Sequence, residues 1–166
     1  MTKLNTIPEL ADVLTEDTIM VKVSVSDWKE AIRKAGELLV KTGSVEPRYV
    51  NEMIKFCEKH NAYIVIAPGI ALPHARPGDG VKKICISVIT LKEPVKFGHP
   101  QNDPVDIVIA LAAVDDQSHI KVLKQLAEIL MDQKNLNNIR KARTKKEILK
   151  IFHCTQKERN KAHADK

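Results

Sequence analysis

The stretch "VDIVIALAAV", residues 105–114, constrains this chain more than any other. Nine of its ten side chains are apolar, and Asp106 is the exception. Successive side chains of a strand point to opposite faces, so a run of this kind leaves neither face for water. It predicts a central strand covered on both sides, which is the signature of a layered α/β domain. "KICISVITL" (83–91) is a second strong strand, and "TIMVKVSV" (18–25) and "AYIVIA" (62–67) are shorter ones. Residues 70–72 carry the chain from the last of these into a turn.

Helical stretches lie between the strands. Pro8, preceded by Thr6 or Ile7, opens a short helix to about Leu14. Ser26 and Asp27 offer caps for a helix whose face is Trp28, Ile32, Ala35 and Leu39, ending near Gly43. "EPRYVNEMIKFCEKH" has Pro47 in its first turn and a stripe of Val50, Met53, Ile54 and Cys57. After "VDDQS", Ile120, Leu123, Leu126 (or Ala127) and Leu130 repeat at helical spacing. Thr144 and Glu147 form a capping box in front of "KKEILKIF". At 166 residues the chain fits one domain. The expected fold is a single-domain α/β layered sandwich over residues 1–153, a mixed β-sheet flanked by helices. A basic, disordered tail is expected over 154–166.

Charge and composition narrow the function. Residues 134–166 hold eleven Lys and Arg against three Asp and Glu, while the rest of the chain is slightly acidic. The net charge of +6 therefore belongs to the C-terminal segment, read as a solvated helix and a frayed end. Only six aromatic residues are present, too few for stacking recognition of single-stranded nucleic acid. No apolar run is long enough to span a membrane, and no signal-peptide h-region opens the chain. Cys57, Cys85 and Cys154 are odd in number and match no CxxC spacing, which suits a reducing cytoplasm.

The candidate chemistry sits in "APGIALPHARPGDG", residues 67–80. A loop histidine is most often a solvated polar residue, but His74 has a preset backbone. Pro73 fixes its own φ and drives Leu72 towards extended geometry. Ala75 and the nearby glycines allow close approach of an anion or a partner. His119 lies in the first turn of the helix behind the central strand, where free N–H groups and the helix dipole favour anions. The pair suits a phosphohistidine, in which one imidazole attacks and the groups around it hold the phosphoryl oxygens.

"GIALPHAR" resembles the phosphorylation motif of the fructose/mannitol-type IIA components (EIIA type-2) of the bacterial phosphoenolpyruvate-dependent sugar phosphotransferase system. "VEPRYVNEMI", "AYIVIAPGIALPHARP", "GVKKICISVITLKEPVKF" and "NDPVDIVIALAAVDDQSH" are together similar to its L-ascorbate branch. The resemblance covers about residues 20–150. It implies that His74 is the phosphorylated nucleophile and His119 the second active-site histidine. It implies a phosphotransferase relay in the cytoplasm, from the carrier HPr to His74 and on to a cysteine of a IIB protein, with a IIC permease served indirectly. No cofactor and no metal are expected. Mannitol-type members carry an arginine in the helix before the site strand, and "NEMIKFCEKHN" holds none.

Three rival readings have their own residues. A metal site could draw on His74, His99, His119 and Asp116, though no H-x₃-H or HExxH spacing occurs. A nucleic-acid module would rest on the basic end alone. A regulatory IIA-like protein would share the phosphorylation motif without transport.

Overall fold

In a computed structural model of the chain, which describes residues 9–60 and 62–164 (155–164 as backbone alone), the apolar run forms the middle of a five-stranded sheet. The strands are β1 (Ile19–Val23), β2 (Val65–Ala67), β3 (Ile70–Ala71), β4 (Cys85–Val95) and β5 (Val105–Ala112). Their order across the sheet is β1-β4-β5-β3-β2. The β1–β4 and β5–β3 pairs are parallel, while β4–β5 and β3–β2 are antiparallel. The sheet is mixed, as expected.

Alternation along β5 splits the interior in two. Val108, Ala110 and Ala112 face a core closed by α2 (Trp28–Lys41) and α3 (Pro47–Lys59). Ile107, Ile109 and Leu111 face a second core closed by α1 (Leu10–Val13), α4 (Asp116–Leu130), α5 (Gln133–Lys141) and α6 (Lys145–Ala164). Every β5 residue except Asp106 is fully buried. Asp106 is accounted for by Arg140 of α5, whose Nε donates to both carboxylate oxygens at 2.9 and 3.1 Å. Polar groups buried on the strands find partners too. The Ser87 hydroxyl donates to the Ala35 carbonyl at 2.8 Å, and Thr90 Oγ1 accepts from the Lys22 N–H at 2.9 Å. Lys22 sits at φ +54°, where the β1–β4 register breaks.

Three local expectations shift. The strand expected over 62–67 starts only at Val65, because Ala62 adopts φ +62° and its N–H closes a turn onto the Cys57 carbonyl at 3.1 Å. Helix α5 has no counterpart in the sequence reading. Its surface is strongly polar, and only Leu136 and Ile139 reach the second core. Residues 154–164 stay helical as the last turns of α6, where loss of apolar periodicity predicts a disordered tail. Extending a formed helix adds one hydrogen bond per residue, so the turns anchored by Ile148 and Phe152 can carry the rest. The helix start at Pro8 lies outside the described residues.

Among the described residues no helix is long and apolar enough to cross a membrane. Cys57 and Cys85 are buried thiols, and Cys154 is exposed.

Candidate active site

The chain leaves β3 at Ala71 and is pinned residue by residue through the turn that follows. The Leu72 N–H donates to the Ile64 carbonyl at 2.8 Å, and the Leu111 N–H donates to the Pro73 carbonyl at 2.9 Å. Beyond His74, the Ala75 N–H donates to the Tyr49 hydroxyl at 3.1 Å, which itself donates to the Leu111 carbonyl at 2.8 Å. Tyr49 is fully buried, and burial pushes its phenol up to about 12, so the hydroxyl stays a neutral bridge. Fixed backbone on both sides leaves His74 little freedom.

The imidazole of His74 is fixed as well. Its Nδ1 lies 2.7 Å from the Leu72 carbonyl oxygen. A carbonyl only accepts, so Nδ1 carries the proton and Nε2 keeps its lone pair. The Phe56 ring packs on one side, with centroids 5.0 Å apart, and His119 meets His74 edge-on at 5.5 Å. His74 and His119 are thus brought together, as the sequence predicts. The first turn of α4 delivers His119, with Asp115 as its cap. Asp115 accepts from the Ser118 N–H at 2.8 Å through its side chain and from the His119 N–H at 3.1 Å through its carbonyl.

Both imidazoles are held below their ordinary pKa. Burial is the chief cause for His74, the nearby His60 adds to it, and the Leu72 carbonyl works the other way. For His119 burial again leads, followed by His74, against the opposing charge of Asp116. Two imidazoles side by side disfavour protonation of each other.

His99 is not part of this group. It accepts the Gln101 and Asn102 N–H groups at 3.1 and 2.9 Å within its own loop. Among the described residues no three His, Cys, Asp or Glu side chains gather as ligands. A cavity of about 750 Å³ lined by Thr42, Ser44, Lys83 and Cys85 contains neither site histidine.

Sequence reasoning missed Tyr49, Phe56 and His60. Phe56 of α3 and His60, the residue that caps it, are four positions apart with ring centroids 4.3 Å apart, and that spacing is the one signal the sequence offered. Tyr49 gave none, since its partners Ala75 and Leu111 are distant in the chain.

Residues 12–154 match the family model described as "Phosphoenolpyruvate-dependent sugar phosphotransferase system, EIIA 2". The chain belongs to that family.

Curated relatives agree with the assignment. The EIIA chain is 41% identical over 149 residues to the ascorbate-specific PTS system EIIA component of Escherichia coli K12, covering 89% of this chain and 97% of that protein. Solved EIIA structures share the architecture. The mannitol-specific cryptic phosphotransferase enzyme IIA of Escherichia coli superposes with a TM-score of 0.78 at 32% identity, covering 87% of this chain and 98% of that one. The mannitol IIA of the same organism, solved in complex with phosphorylated enzyme IIB, gives 0.76 at 30% identity, covering 84% and 96%. The mixed sheet with flanking helices is therefore the EIIA fold. In this EIIA chain α3 sets Phe56 against His74, His60 packs on Phe56, and no arginine lies between Asn51 and Asn61.

Proposed function

We propose that His74 accepts a phosphoryl group from phospho-HPr at Nε2 and passes it to a cysteine of a IIB protein, in the cytoplasm and for L-ascorbate uptake. The observation that carries this reading is the Nδ1–H held on the Leu72 carbonyl, which leaves Nε2 as the basic nitrogen beside His119. The lone pair of Nε2 forms the new N–P bond as the N–P bond of the donor breaks. The donor nitrogen recovers that electron pair. Because Nδ1 keeps its proton, the phosphorylated ring carries positive charge that the Leu72 carbonyl oxygen stabilises. On the outward step the IIB thiolate attacks phosphorus, and His74 leaves as a neutral imidazole. Phosphoryl transfer of this kind needs positioning and charge stabilisation more than covalent help. His119 and the N–H groups at the start of α4 supply that stabilisation to the oxygens.

The choice of ascorbate rests on the relatives that carry that name over nearly their whole length. The partner IIB rests on the mannitol IIA–IIB complex.

Incubation with phosphoenolpyruvate, enzyme I and HPr tests the reading by intact mass. The protein should gain one acid-labile, alkali-stable phosphate, and His74→Ala should gain none. Full labelling of His74→Ala would overturn the assignment. His119→Ala should still be labelled but transfer about 10²-fold more slowly, the loss typical of one preorganised donor.

A further inference from the structure

Beside His74 lies a cleft of about 300 Å³ whose lining includes Phe56, His60, Ala75 and Arg76. Its charges are unequally matched. Of its two carboxylates, Asp79 is taken by Arg48 at 2.7 Å, and Glu52 by Lys55 at 3.7 Å. Arg48 lies outside the lining and is committed also to Glu46 at 2.6 Å. Among the described residues no carboxylate pairs with Arg76 or Lys59. The cleft therefore presents unpaired positive charge next to the candidate nucleophile.

Arg76 is the better placed of the two cations. It follows His74 by two residues, at most about 7 Å of chain, well within an arginine's length. Ala75 between them is tied to Tyr49, which anchors the backbone there, and the Arg76 side chain is exposed. A guanidinium offers a planar fork of donors that matches two phosphoryl oxygens at once, which a lysine cannot do. From α3, the uncharged Phe56 ring packs against His74, with His60 behind it on Phe56.

We propose that Arg76 grips the phosphoryl group on His74 from the cleft and stabilises the oxygens during transfer. The proposal rests on His74 being the acceptor. It adds no bond change to the relay: Arg76 donates hydrogen bonds to oxygens while the N–P bonds exchange.

Rapid-quench transfer from phospho-HPr to the full-length protein, measured over a range of phospho-HPr concentrations, tests it on Arg76→Ala and Arg76→Lys. Arg76→Ala should lower the maximal rate about 10²- to 10³-fold, with a much smaller change in the half-saturating concentration. Arg76→Lys should restore only part of the loss. Because Arg76 is exposed, circular dichroism should show both variants folded. Wild-type rates for Arg76→Ala would overturn the proposal. So would a loss that disappears at saturating phospho-HPr, since Arg76 would then only dock the carrier. A wild-type protein that takes no phosphate on His74 would instead overturn the acceptor assignment beneath it.

Discussion

The nucleophile role proposed for His74 requires a neutral imidazole, and its surroundings favour that form. Burial, and after it the nearby His60, disfavour the charged ring, so its pKa lies below the ordinary value near 6.5. The rate of phosphoryl acceptance should therefore begin to fall only at a lower pH than it would for an ordinary imidazole. The same shift links to stability. Between the lowered pKa and 6.5 the unfolded chain binds more protons than the folded one, so stability rises with pH there. The contribution of His74 and His119 is fully present above 6.5 and is lost as pH falls through the window. Imidazole titration by NMR, alongside a pH–rate profile, checks both. A His74 midpoint above 6.5 would contradict the account.

At the scale of elements, β5 holds the two cores apart and carries the Leu111 carbonyl and N–H that fix the His74 turn. Ile109 is fully buried at its centre, facing the second core. Ile109→Ala should lower unfolding free energy by about 2–5 kcal/mol, as for other large-to-small core changes. Urea denaturation with an unchanged m-value is the measurement, and a change under 1 kcal/mol would mean the site collapses freely. The importance of this strand was legible because nine apolar residues in ten leave a strand no alternative. The pairing of His74 with His119 was legible for a related reason, since proline before one and capping residues before the other preset local geometry. Helix α5 was not, because two apolar positions in nine residues do not make a visible stripe. Nor were Tyr49 and Phe56, whose roles come from contacts across the fold and not from their own neighbours in sequence.

For the molecule as a whole, charge and fold are unevenly distributed. The buried side chains of α6 that hold it to the second core, Ile148 and Phe152, precede residue 154, where the family match also ends. Deleting 155–166 should leave thermal unfolding within a few degrees and labelling of His74 intact, as read by calorimetry and intact mass. Unfolding or loss of labelling would show that the last turns of α6 belong to the domain. A drop in rate that vanishes at high salt, with the fold unchanged, would make the positive segment a steering element for an acidic partner.

The two outermost strands set a limit on how this protein meets others. An open sheet normally risks recruiting a further strand along its exposed backbone, which is how many proteins polymerise. Here β2 is only three residues long, and β1 is broken by a lysine in a left-handed conformation at its register shift. Neither border offers a straight, extended template. A partner of this chain is therefore expected to read shape and side chains and not to add a strand, and among the described residues neither edge offers a ready seam along which a crowded solution could grow fibrils.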